Sequence, residues 1–248
     1  MQLLNTNAKL AKCEAYGYLA VGLELAPGKL AGRGEACPAR GDCYKTCIFS
    51  SGFGSMTSVR KARIDRHRFM FNADGTLNPT AEGQLYLDIA TAMRKAERKG
   101  LKLAVRLNTF SDYAWEQLLG AHFFQHFYEV QFYDYTKRYD RAVDWSKGAK
   151  PKNYHLTFSC SEENSAASEA VALLRSGEFG RKMSVAVAMY QESKDQILGD
   201  KTLTRHHRAV DGDLHDLTFL HKPGSIIVLS AKGKTGSRNP KANKFLVH

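Results

Sequence analysis

The chain has 248 residues, 43% of them hydrophobic, enough for a sizeable buried core and too apolar for disorder to be the default. Its formal net charge is +11, a balance that points to an anionic partner such as nucleic acid, a nucleotide or a membrane surface. No apolar run approaches the ~20 residues of a membrane span, and the N-terminal stretch lacks the parts of a signal peptide, so a spanning protein is excluded and a cytoplasmic one is expected.

Residues 1–30 read as a short strand or hairpin around YGYLAVGLEL. Residues 31–56 carry Gly, Pro, Cys and Ser at loop density. A basic helix follows at SVRKARIDRHRFMF (58–71), then a turn-rich break at NADGTLNP. From Thr80 onward the apolar residues fall at helical spacing, ending on Gly100 as a C-cap. Strands are expected at 102–108, 128–136, 153–159, 182–190 and 225–232, with helices around 113–127 and 166–177 between them. The strands are apolar on both faces, as a covered parallel sheet requires, and they alternate with helices. The pattern predicts one α/β domain over 1–248, a partial or full (β/α) barrel with mostly parallel strands; an open doubly wound sheet is the alternative. In both, working residues follow the C-terminal ends of strands. That rule selects Asn108, Thr109, Ser111 and Asp112, then Asp134, Thr136, Lys137 and Arg138. It next selects Ser159, Cys160, Ser161, Glu162, Glu163 and Asn164, and finally Gln191 and Glu192.

Cys37, Cys43 and Cys47 are spaced C-x5-C-x3-C in the Gly-rich loop. In a cytoplasmic setting such cysteines argue for ligation or catalysis and against a disulfide framework. Three close thiolates can reach one metal ion or cluster, and the spacing is not the paired C-x2-C of a zinc ribbon. Three ligands leave one coordination position open, the logic of a reactive centre. A fourth ligand from Cys13 or Cys160 would make a structural zinc site instead. Cys13 reads as a small buried hydrophobe, and Cys160 is open between that role and the site.

CPARGDCYKTC, RLNTFSDYAWE, FYDYTKR and TFSCSEEN resemble, in this order, the landmarks of two groups of phage and bacterial proteins. One is the phage gene 88 type. The other is a three-cysteine-motif phage family that looks like a branch of the radical S-adenosylmethionine (SAM) superfamily. The resemblance covers roughly residues 27–165. It implies a TIM-barrel-like fold and a [4Fe-4S] cluster on Cys37, Cys43 and Cys47. It also implies S-adenosylmethionine contacts at Asn108, Ser111 and Asp112, with Ser159 and Glu162 near the ribose. Asp112, Lys137 and Glu162 become the catalytic candidates, and a phage-encoded chain would work in the host cytoplasm. The sequence departs from that superfamily in its wider cysteine spacing and in lacking Gly-Gly-Glu-Pro after Asn108.

Basic residues cluster at 58–68, where Arg60, Lys61, Arg63, Arg66 and Arg68 are candidate phosphate contacts, and in the tail at 232–244. Residues 137–152 are also basic and lie beside Tyr133, Tyr135, Tyr139 and Trp145, aromatics able to stack on bases. His206, His207, His215 and His221, with Asp211, Asp213 and Asp216, have a spacing that could hold a divalent ion, but they match no familiar ligand set and a solvated loop is the expected reading. Two functions follow: an iron–sulfur enzyme modifying a nucleic acid or nucleotide, or a nucleic-acid-binding protein with structural zinc. A barrel hydrolase or transglycosylase using Asp112 or Asp134 is a third.

Overall fold

The computed structural model describes residues 1–44, 47, 49, 52–148, 150–160, 172, 175, 183–206 and 208–230. Among these, strands β1 (Leu4–Asn5), β2 (Tyr18–Leu23), β3 (Lys102–Arg106) and β4 (Gln131–Thr136) are followed by β5 (Tyr154–Ser159), β6 (Val185–Met189), β7 (Ala209–Asp211) and β8 (Ile226–Ser230). They form one eight-stranded sheet in the order β1-β2-β3-β4-β5-β6-β8-β7. β1 pairs antiparallel with β2, while β2–β3, β3–β4, β5–β6, β6–β8 and β7–β8 are parallel. This is the mostly parallel α/β sheet expected. The chain divides into two compact units built from interleaved segments.

The first unit comprises Met1–Pro38, Phe53–Asp134 and Lys150–His155. Its helices are α1 (Ala8–Ala11), α2 (Thr57–Met70), α3 (Pro79–Arg98), α4 (Trp115–Leu118) and α5 (Gly120–His126). α3 starts where Asn78 caps the Thr80 N–H and Pro79 fits the first turn, and it buries Ala81, Leu85, Ile89, Ala92 and Ala96 on one face. The single helix expected at 113–127 is two short ones, because Gly120, the first residue of the second, has φ +69. Phe123, Phe124, Phe127 and Phe132 then pack as an aromatic core, with Tyr154 stacked on Phe124 at 4.9 Å. Asn153 Nδ2 reaches the carbonyls of Phe124, Phe127 and Val130, closing the end of that helix.

The second unit comprises Ala39–Gly52, Tyr135–Ala149 and Leu156–His248. It holds α6 (Tyr139–Lys147), α7 (Gln191–Gly199) and α8 (Lys201–His206). β6 and β8, fully apolar at Val185, Val187, Ile227 and Val228, form its buried centre. The expected helix at 166–177 lies, apart from residues 172 and 175, outside the described residues, as does the basic tail. The stretch expected to be a solvated loop holds β7 and the fully buried Asp216, so that reading is corrected. A strand of three residues leaves too little periodicity to see in sequence.

Candidate functional site

In the first unit the loops after β2 and β3 meet at the carboxyl ends of the parallel strands. Asp112 N–H donates to Ala36 O at 2.7 Å, and Cys37 Sγ lies 3.3 Å from Phe110 O. Cys37 N–H is in turn held by Glu35 Oε1 at 2.9 Å. The loop after β3 is organised by Asn108. Its Oδ1 accepts from Ser111 Oγ (2.8 Å), Tyr113 N–H (3.0 Å) and Trp115 Nε1 (3.0 Å). Its Nδ2 donates to Tyr113 O (2.9 Å) and Asp134 Oδ2 (3.4 Å). Asp134, fully buried, also accepts from Asn108 N–H and Tyr154 Oη, both at 2.6 Å.

α2 turns a polar face inward, with Arg63, His67 and Met70 buried. Arg63 Nε and Nη2 both reach Glu24 Oε2 at 3.1 Å, and its guanidinium sits 4.1 Å over the Phe110 ring. Arg66 donates to Glu24 O (3.3 Å) and Arg68 to Ala31 O (3.1 Å). His67 bridges Ala26 O and Tyr113 Oη, each at 2.9 Å. Burial lowers the His67 pKa; the bond to Ala26 opposes this and the charge of Arg33 adds to it. Burial raises the Tyr113 pKa, and negative charge on Cys37 and Glu35 adds to it. A cavity of about 690 Å³ in the same unit, bounded by Leu10, Leu19, Val21, Asp88 and Lys95, contains none of the predicted site residues.

In the second unit, Lys137 follows β4 and donates to Ser159 Oγ (2.9 Å) and Cys160 O (2.8 Å) at the end of β5. Cys43 and Cys47 belong to this unit, whereas Cys37 belongs to the first. All five cysteines are free of disulfides; Cys37, Cys43 and Cys47 are partly exposed, while Cys13 and Cys160 are buried. Partly exposed cysteines outside any disulfide are the donors a soft metal or iron–sulfur centre takes. Among the described residues no group of three or more His, Cys, Asp or Glu is gathered to hold a metal ion.

The structure therefore brings Asn108, Ser111 and Asp112 together near Cys37, and Lys137 with Ser159. Glu162 lies outside the described residues. Of the basic residues on α2, Arg60, Lys61 and Arg68 are exposed, Arg66 is half-buried and Arg63 faces inward. Glu24, His67 and Tyr113 carry site geometry that the sequence reading missed; Glu24 does follow a strand, but the β2 end was not used as a site marker.

Among the described residues no helix is long and apolar enough to cross a membrane. Neither the curated proteins nor the solved structures gave a match. The family model described as Gene product 88 matches residues 1–245, nearly the whole chain, and the chain therefore belongs to that phage gene product family.

Proposed function

We propose that the protein is an iron–sulfur enzyme of radical-SAM-like chemistry that modifies a nucleic acid or nucleotide. The observation that supports this reading is the partition of the thiols: the three in one loop are partly exposed, and the two elsewhere are buried. Cys37, Cys43 and Cys47 would hold the [4Fe-4S] cluster, which when bound supplies the electron for cleaving S-adenosylmethionine. Ser111 and Asp112 in one unit, and Lys137, Ser159 and Glu162 in the other, are the polar strand-end groups offered to the rest of that cofactor and to the substrate.

The chain's own residues set the surroundings. Asn108 spends its amide on Ser111, Tyr113, Trp115 and Asp134, so it orients the loop that carries the buried Ser111 and Asp112. Arg63 is matched by Glu24 and faces inward, so phosphates would meet the exposed Arg60, Lys61 and Arg68, with Lys61 giving up its pairing to Asp65. Asp134, buried and holding three hydrogen bonds, is poorly suited as the base of a hydrolase. The test is to reduce anaerobically purified protein in the presence of S-adenosylmethionine and measure 5′-deoxyadenosine. Production that is lost on Cys43→Ala supports the reading. Colourless protein with one zinc per chain and no product would replace it with the zinc-stabilised binding protein.

A further inference from the structure

Of the aromatics expected to stack on bases, Tyr133 and Trp145 are buried. The most exposed large hydrophobic side chain among the described residues is instead Phe53, at 86%, and Met56 is 51% exposed. Phe53 is fixed in place. It lies in the 3-10 turn Gly52–Ser55 that leads into α2. Met56 N–H donates to Phe53 O at 3.2 Å, and Arg60 N–H donates to Met56 O at 2.9 Å, so the turn runs directly into the helix. Side chains three apart in such a turn eclipse, which puts Phe53 and Met56 on one side. Gly52 and Gly54 flank Phe53, so neither neighbour has a side chain to cover the faces of the ring. Gly52 holds φ +53, a conformation that glycine adopts without strain.

Met56, Arg60, Arg63 and His67 fall on one stripe of α2. At its inner end Arg63 and His67 are buried against Glu24, Phe110 and Tyr113. At its outer end Met56 and Arg60 are exposed. Seven residues separate Met56 from Arg63, a rise of about 10 Å. Phe110, whose ring lies under Arg63, presents its carbonyl 3.3 Å from Cys37 Sγ. The exposed end of the stripe therefore stands beside the loop that meets Cys37, within the first unit. The first turn of α2 carries no acid. Arg60 and Lys61 are exposed next to it, and the pair that Lys61 makes with Asp65 is a surface pair of little strength.

Two apolar side chains are far less than the roughly 800 Å² per partner of a stable protein interface. An open-faced ring beside cations instead fits a flat partner that carries negative charge, a nucleobase with its phosphate. In a duplex the base faces are covered by their neighbours, so only an unpaired base offers one. We propose that Phe53 is a stacking platform for an unpaired base of a single-stranded or locally opened nucleic acid, with Met56 packing against the same base. The phosphate backbone then runs past Arg60 and Lys61 toward the loop at Cys37. This rests on the nucleic-acid part of the proposed function and on none of its iron–sulfur chemistry.

The experiment measures Kd by fluorescence anisotropy for the full chain and a labelled single strand of about 12 nucleotides, within the usual span of a single-strand site. The strand is used as DNA and as RNA, beside a blunt DNA duplex of the same sequence. The expected result is tighter binding of the single strand than of the duplex. Phe53→Ala should weaken single-strand binding by about 5- to 150-fold and leave duplex binding unchanged. Phe53→Trp should retain single-strand binding, and Phe53→Leu should recover little of the loss. Because Phe53→Ala removes no charge, the salt slope should stay as in wild type. The ring is exposed, so the thermal unfolding of each variant should match wild type and show that it is folded. Single-strand binding that survives Phe53→Ala, or Phe53→Leu that binds like wild type, would overturn the stacking platform and leave the nucleic-acid reading standing. Wild-type protein that binds no strand would overturn both. Wild-type protein that self-associates and becomes monomeric in Phe53→Ala would replace the platform with a contact between copies of the chain.

Discussion

Asn108 Oδ1 collects three donors within 3.0 Å while its Nδ2 serves two acceptors, so one amide fixes the loop from Asn108 to Trp115. Asn108→Ala strands the Trp115 and Tyr113 N–H groups and should cost about 3 kcal/mol of stability, measured by denaturant unfolding. Asn108→Asp should cost more, since it faces the buried Asp134 with a second carboxylate. His67 gives a pH signature. Its folded pKa lies below the unfolded value of about 6.5, so the unfolded state binds more protons in that window. Stability carried by neutral His67 is therefore present above pH ~6.5 and falls as pH drops below it. Unfolding free energy measured from pH 7.5 to 5 should decline more steeply for wild type than for His67→Gln. Equal slopes would mean that His67 titrates in the fold as it does in the unfolded chain. At this scale the sequence marked where polar residues follow strands. It did not show that Asn108 is filled by its own neighbours, because that depends on Trp115 and Tyr113 folding back across the loop.

Elements were legible where their ends carry local chemistry. Gly100 marks the end of α3 in sequence and follows it in the structure with φ +65, whereas the expected start at Thr80 gives way to Pro79 under the Asn78 cap. α2 was legible as a helix but not in its orientation. Arg63, a candidate phosphate contact in sequence, is buried instead, because Glu24, 39 residues away, supplies its partner. Hydrophobic periodicity has no means of finding a buried ion pair. Arg63→Met should leave Glu24 buried and uncompensated, costing roughly 3–5 kcal/mol, and adding Glu24→Gln should recover much of the loss. Two glycines make a contrasting pair in thermal unfolding. Gly83 lies on the exposed side of α3 with open space around its Cβ position, so Gly83→Ala should stabilise by about 0.5–1 kcal/mol. Gly212→Ala drives a methyl into Ile227 and Leu229 and should destabilise by about 1–3 kcal/mol.

Across the whole chain, the alternation of strand and helix predicted a mostly parallel α/β sheet, and the sheet order bears this out. The two interleaved compact units were not legible, because their segments join through contacts distant in sequence. The +11 charge makes a measurable claim about partners. Binding to an oligonucleotide should weaken with salt, and Arg60→Glu with Lys61→Glu should lower the log–log slope by about 1.5 without unfolding the protein. A slope unchanged by this pair would remove α2 from the interface.

The central claim is that Cys37, Cys43 and Cys47 hold an iron–sulfur centre. Iron content and the visible spectrum of anaerobically purified protein test it most directly. The account predicts brown protein with broad absorption near ~400 nm and about four irons per chain, lost on substituting any of the three cysteines. The same iron should survive in Cys13→Ala and Cys160→Ala, whose thiols are buried. Colourless, iron-free protein under these conditions, or iron that persists without Cys37, Cys43 and Cys47, would contradict it.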